Sequence, residues 1–231
     1  MQFLDLVRRL RSECGIAGSG PTTVVGQTGE MRRLVDWIAQ AYDELQMSRP
    51  DWEWMRKTKT FNTTASKQSY HPTNAAPDIA LTDFSQWRND SFRIYLTSAG
   101  KNSEIILTHE HDYNGFRDYY LLGARTTTYG QPIAISIGPD KSLVFGLGPN
   151  GIYTATAEYY STPQQLALDA DIPLMPARFH MIIVYAAMKK YGMYESAVEQ
   201  VQQGQSEYNK LHFQLEIDQA PPILWGASLI S

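Results

Sequence analysis

Pro132-Ile133-Ala134-Ile135-Ser136-Ile137-Gly138-Pro139-Asp140-Lys141-Ser142-Leu143 decides how the middle of this chain is read. Ile133, Ile135 and Ile137 alternate with Ala134 and Ser136, the period of two that a half-buried strand requires. Gly138 to Lys141 supplies a turn, after which Leu143 to Leu147 returns. Gly148-Pro149-Asn150-Gly151 turns again, and Ile152 to Tyr160 reads as a third strand. The spacing predicts a three-stranded meander. Working back, Phe92 to Leu96 and Glu104 to Thr108 read as strands, and so does the Thr-rich run Lys57 to Thr64 around Phe61. Trp52 and Trp54, two apart, mark where the β pattern begins.

Both flanks are helical. Phe3, Leu6, Val7 and Leu10 fall on one face of a helix spanning Gln2 to Cys14, which Gly15 ends. A loop with Gly18, Gly20, Pro21 and Gly26 leads to Thr28, the expected N-cap of a second helix with Glu30 in its first turn. Met31, Leu34, Val35, Ile38, Tyr42 and Leu45 form its stripe, and Pro50 closes it. After Pro173 and Pro176, Phe179 to Tyr191 is apolar almost all round, the mark of a central helix. Lys189, Lys190 and a left-handed Gly192 are expected to end it. A last helix from about Tyr194 to Glu216 carries Ala197, Val198, Val201, Tyr208, Leu211 and Leu215, with Gly204 as a weak point. The predicted class is therefore α+β: terminal helices packed as a bundle, an inserted antiparallel β-rich domain, and an extended C-terminal tail. The expected divisions are 1–50, 51–172, 173–216 and 217–231.

Composition narrows function. The chain has 231 residues, 43% of them hydrophobic and only 19% charged, with a net charge of −4. Such a balance argues against gripping a nucleic-acid backbone, which needs a cationic surplus. One cysteine, Cys14, excludes an intrachain disulfide and a cysteine-based zinc site. The longest apolar run, Met181 to Met188, is far short of the roughly 20 residues of a membrane span. Asp5, Arg8 and Arg9 interrupt the first helix, so no signal peptide is expected and a reducing compartment is.

Chemistry-bearing patterns are few. The loop Gly15 to Thr23 fails as a phosphate cradle, because the Gly20–Gly26 spacing is one residue too long and Gln27 stands where a lysine belongs. His109-Glu110-His111-Asp112 is the best metal-like cluster: on a strand the two histidines share a face, and Asp112 adds a carboxylate. Asp169 with Asp171, and Asp83 with Asp90 around Trp87, are acid–base candidates that suit turns equally well. His180 reads as a hydrogen-bonded core residue and Cys14 as a structural one. No catalytic residue, metal ligand or cofactor-binding residue is assigned, and an enzyme is not expected. In the tail, Pro221, Pro222, Leu224 and Trp225 present an apolar anchor among turn-forming residues, a usual way to dock on a partner.

Several stretches carry a resemblance. Leu10-Arg11 through Gly15, Gly20-Pro21-Thr22-Thr23-Val24-Val25-Gly26-Gln27-Thr28-Gly29-Glu30, Val35-Asp36-Trp37-Ile38 and Arg49-Pro50-Asp51-Trp52-Glu53-Trp54-Met55 resemble the opening of the head-to-tail adaptor proteins of tailed bacteriophages. Tyr159-Tyr160, Pro163 to Leu166, Asp169 to Pro173, Pro176-Ala177-Arg178-Phe179-His180, Ala186-Ala187-Met188 and Tyr191-Gly192 continue it. The helix–sheet–helix order is also similar to the tail tubular protein beneath the portal of short-tailed phages. The resemblance implies a structural virion protein, made in the bacterial host cytoplasm and placed in the neck between head and tail. It implies a homo-oligomeric ring, commonly of twelve copies, that binds the portal and a downstream tail or neck protein. DNA would pass through its channel in passive contact, and no membrane is involved. A closed ring needs two different complementary faces on one protomer, and few charges suit a surface that meets other protein. Two other classes remain to be weighed: a metal-dependent hydrolase using His109, His111 and Asp112, and a glycan-binding β module with Trp87 or Trp52 as stacking platform.

Overall fold

The computed structural model describes residues 1–219. They fall into two compact units: one is built from Met1–Met55 and the chain from Pro163 onward, the other from Arg56–Thr162. Among the described residues there are five α-helices and eleven short strands. The mixed α and β class read from the sequence is therefore what the structure shows.

The first unit opens with α1 (Phe3–Glu13) and α2 (Gly29–Met47). Phe3, Leu6, Val7 and Leu10 are buried at the spacing that predicted the helix, and Gly15 follows it in the left-handed region at φ +69°. α2 buries Leu34, Val35, Ile38, Ala41, Tyr42 and Leu45. Thr28 stands at its N-cap in extended conformation, but its hydroxyl makes no capping bond. Trp52 and Trp54 are not strand residues. Trp52 precedes and Trp54 lies within a 3-10 turn at Glu53–Met55; the two rings stack at 4.3 Å, and the Trp52 indole N–H donates to the Leu45 carbonyl. Two aromatics two apart satisfy a period of two, but here a helical hydrogen bond from Met55 N–H to the Trp52 carbonyl sets the backbone.

The second unit contains β1 (Arg56–Asn62), β2 (Ser69–Tyr70), β3 (Phe84–Trp87), β4 (Arg93–Leu96), β5 (Ile105–Ile106) and β6 (Thr108–His109). Then come α3 (Tyr113–Tyr120), β7 (Tyr129–Gly130), β8 (Ala134–Ile137), β9 (Leu143–Phe145), β10 (Gly148–Pro149) and β11 (Tyr153–Ser161). β11 is the spine of the larger sheet. β1 pairs antiparallel along one edge, from Arg56 opposite Tyr160 to Asn62 opposite Thr154. β4 and β3 share the other edge end to end, and β5 lies outside β4. The second sheet runs β2-β9-β8-β6, with β6 parallel to β8.

The expected meander is only half present. β8 and β9 form the antiparallel hairpin around Gly138–Lys141, but β11 joins the larger sheet. The reason lies in the second turn: Gly148 and Pro149 pair with β7, and the Asn150 N–H donates to the Gly130 carbonyl. That ladder captures the turn, and the chain crosses to the other sheet. Ile94, Tyr153, Ala155, Ala157 and Tyr159 of the larger sheet share one core with Tyr70, Ile135, Leu143 and Phe145 of the smaller. On the other face of the smaller sheet, Phe116 of α3 covers Ala134 and Val144, which is why β8 is buried on both sides.

The first unit resumes at Pro163. The Tyr42 hydroxyl donates to the Gln164 side chain, while the Gln46 amide and the Gln164 backbone bond each other in both directions at 3.0 and 2.7 Å. These bonds pin the 163–176 segment to α2. A 3-10 turn at Ala177–Phe179, not Pro176 itself, leads into α4 (Met181–Tyr194), and α5 (Val198–Gln219) follows. α4 packs against α1, α2 and α5 and buries Ile182, Ile183, Val184, Ala186, Ala187 and Met188, the central position its sequence predicts. α5 runs past Glu216, so residues 217–219, expected in the tail, are helical; the first breaker in the sequence is Pro221.

Gly192 and Gly204 do other work than expected. Gly192 is buried inside α4, and a Cβ there would lie 2.8 Å from Val201 Cγ2 and 3.0 Å from the Ala197 carbonyl. A Cβ on Gly204 would meet the Tyr185 carbonyl at 3.0 Å. Both are points of close approach between α4 and α5. Gly192→Ala is expected to lower stability by about 1–2 kcal/mol, because overpacking of about 1–3 kcal/mol outweighs a helix-propensity gain of at most about 1. Chemical denaturation followed by helical circular dichroism measures this; a stabilised variant would mean that the helices separate freely here.

His180 is 1% exposed, and its Nε2 lies 3.1 Å from the Met175 carbonyl. Burial holds its pKa below the ordinary histidine value, against the opposing pull of that carbonyl. The folded chain thus refuses a proton that the unfolded chain accepts below about pH 6.5. This contribution to stability is complete above the unfolded value and is lost as pH falls from there toward the lowered folded one. The melting temperature of the helical unit is expected to drop between pH 7 and pH 5, with a shallower slope in His180→Asn.

Candidate assembly surface

Of the carboxylates singled out in the sequence, Asp169, Asp171 and Asp83 are engaged in structure. Asp169 accepts from the Thr23 hydroxyl and the Val24 N–H, and Asp171 accepts from the Ala167 and Leu168 N–H groups, which hold its pKa below the usual carboxylate range. Asp83 is held by Lys57 at 2.5 Å and the Tyr159 hydroxyl at 3.0 Å. Burial pushes its carboxyl up, but those two partners outweigh that and leave it lowered. Burial first, and then neighbouring Glu13, push the Cys14 thiol up to about 12, which suppresses thiolate.

The Gly-rich loop between α1 and α2 is anchored, not free. Arg8 Nε donates to the Pro21 carbonyl, Val24 is buried, and Arg11 lies against Gly18 and Gly20. Trp52 and Trp87 are 0% and 6% exposed, and the Trp87 indole N–H donates to the Lys141 carbonyl at 2.7 Å. Neither is a platform on which a sugar can stack. The His109/His111/Asp112 triad is also corrected: Asp112 caps α3, accepting from the Asn114 N–H, while Asp90 takes its place beside the two histidines.

What the surface does offer is exposed apolar side chains. On α5 Gly204 and Leu215 are buried; Ala197, Val201, Tyr208 and Leu211 of the predicted stripe are half-buried, and Val198 is exposed. Phe213 and Ile217, four apart on one face, are 64% and 69% exposed. Beside them Arg178, Phe179, Leu211, Gln214, Ile217 and Asp218 line an open groove of about 580 Å³, and Arg178 pairs with Asp218. Leu168, Ile172 and Leu174 on the 163–176 segment are exposed too. An apolar i, i+4 pair on the polar side of a helix was the available signal, and the sequence stripe passed over Phe213 and Ile217. Pro221, Pro222, Leu224 and Trp225 lie outside the described residues.

Carboxylates spent on turns, an inert thiol and apolar side chains turned outward are the features of a component that assembles. The comparison with known families agrees. A family model described as SU10 adaptor protein matches residues 1–221, and the chain belongs to that family of phage head-to-tail adaptors. It is thus a structural phage protein, of a family whose place is the virion neck and whose contacts are portal and tail proteins. No curated protein matches it in sequence. Among the described residues no helix is long and apolar enough to cross a membrane.

Proposed function

We propose that this adaptor closes into a ring of identical copies, twelve in number, between portal and tail, and that DNA passes through its centre. The helices of the first unit form the body of the ring as a bundle, the β-rich unit is inserted in the chain between them, and the C-terminal residues Pro221, Pro222, Leu224 and Trp225 dock on the portal. The observation that carries the reading is the exposed Phe213/Ile217 face of α5 in a family whose members work by protein–protein contact. Apolar pairs of this size in a low-charge chain call for a protein neighbour. A ring repeats that contact heterologously, so a second face is required on each copy, and the Leu168/Ile172/Leu174 segment supplies one. The net charge of −4 leaves a channel wall without a cationic surplus, past which phosphates slide instead of sticking.

Cryo-electron microscopy of particles carrying the chain tests this. A closed ring between portal and tail is the expected result, lost when the chain is shortened by residues 220–231. Density elsewhere in the particle, or an open arrangement of single copies, would overturn the ring; an intact neck with the shortened chain would overturn the tail's role.

A further inference from the structure

We propose that Asp90, His109 and His111 form a binding site for one zinc-like divalent transition-metal cation that staples together the two sheets of the second unit. The inference stands on the geometry of that unit and is independent of the ring.

The His109 side chain is 4% exposed, and its Nδ1 is buried without any hydrogen-bond partner. Buried ring nitrogens are almost always satisfied, so an orphan of this kind needs a partner of its own. Asp90 Oδ1 faces it at 4.0 Å, too far for a hydrogen bond. His111 completes the group: its ring centroid is 4.4 Å from that of His109, and one ligand atom from each of the three residues lies within 4.8 Å of the others.

A tetrahedral cation with bonds of about 2.1 Å sets its ligand atoms about 3.4 Å apart. The three atoms must therefore close by about 0.6 Å to at most about 1.4 Å, and the two exposed members, Asp90 and His111, are free to supply that movement. The pair of histidines is preorganised. The Glu110 N–H donates to the Ile135 carbonyl, and the Ser136 hydroxyl donates to the Glu110 carbonyl at 2.7 Å, which fixes the strand end that carries both rings.

Two imidazoles and a carboxylate select a first-row divalent ion, zinc foremost, over magnesium or calcium, which take oxygen ligands. Asp90 lies between β3 and β4 of the larger sheet, while His109 is in β6 of the smaller. One ion held by both would cross-link the sheets at their edges, adding to a core that they already share. Three protein ligands leave one position for water or for a group from a neighbouring protein.

Metal-stripped full-length protein titrated with Zn²⁺ by calorimetry, and with Co²⁺ by visible absorption, tests the site. The expected result is one ion per chain, a tetrahedral cobalt spectrum, and a rise in melting temperature with Zn²⁺ that Mg²⁺ and Ca²⁺ do not reproduce. Asp90→Asn and His111→Gln are each expected to weaken Zn²⁺ at least tenfold and abolish the thermal shift. Both side chains are exposed, so the metal-free variants should melt with the metal-free parent. Asp112→Asn is expected to leave binding unchanged. Absence of stoichiometric binding would overturn the site, as would binding that survives Asp90→Asn and His111→Gln.

Discussion

Replacing Trp52 by alanine is expected to remove about 3–5 kcal/mol of stability, the range for a fully buried large aromatic. Trp52 is 0% exposed and joins three pieces of the first unit. Its indole N–H donates to the Leu45 carbonyl at the end of α2, its ring stacks on Trp54, and its edge meets His212 of α5 at 6.3 Å. Arg49, paired with Asp51, lies over the ring at 5.5 Å. Alanine would leave a cavity bounded by all of these, in a place where neither helix can close without disturbing its contact with α4. The lost hydrogen bond is the smaller part, because the Leu45 carbonyl still accepts from Ser48. Trp52→Phe, which keeps most of the buried area, is therefore expected to lose only about 1–2 kcal/mol. At about 2–4 °C per kcal/mol for a chain of this size, the alanine variant should melt about 6–20 °C lower. A loss below about 1 kcal/mol would show that Trp52 is not a structural centre of the unit.

Trp52 also shows where sequence reading stops. The helices were legible because α1 and α4 bury what their periods say they bury: Phe3, Leu6, Val7 and Leu10 on one face, and Ile182 to Met188 nearly all round. Trp52 and Trp54 were not, since a pair two apart is too short a run to establish a strand period, and a backbone hydrogen bond closed a 3-10 turn instead. β11 alternated as a strand should, yet its partner depended on β7 capturing the turn at Gly148, a contact with residues far upstream. Local pattern gives an element's type; its neighbours follow from which ladder closes. The same limit applied to the metal-like cluster. His109 and His111 were visible as an i, i+2 pair, and Asp112 was the natural third member by proximity in the chain. Its carboxylate is taken by the start of α3, and Asp90 arrives from a turn between two strands of the other sheet. For α5, periodicity found Val201 and Tyr208 on the side that meets α4, but not the close approach that Gly192 and Gly204 allow between the two helices.

The double substitution Phe213→Glu with Ile217→Glu is expected to abolish assembly onto the portal while leaving the fold intact. Both side chains are exposed, so replacing them removes little buried area, and each change alone should stay within about 0.5 kcal/mol of the parent. Glutamate is at least as good a helix former as either residue it replaces. In the proposed ring the same positions would meet a neighbouring copy, and the arithmetic reverses. Each interface would then enclose two carboxylates without partners, next to Glu216 and Asp218, at an effective cost of several kcal/mol per ion. About 4 kcal/mol is a thousandfold in the association constant, and a closed ring meets that cost at every interface. Ser206→Glu places the same charge on an exposed position of the same helix and is expected to assemble normally. Light scattering of each variant with purified portal, beside its circular dichroism, reads both quantities. If the double variant assembled as the parent does, copies would have to meet through some face other than that of α5, because no interface built on Phe213 and Ile217 tolerates two new unpaired charges.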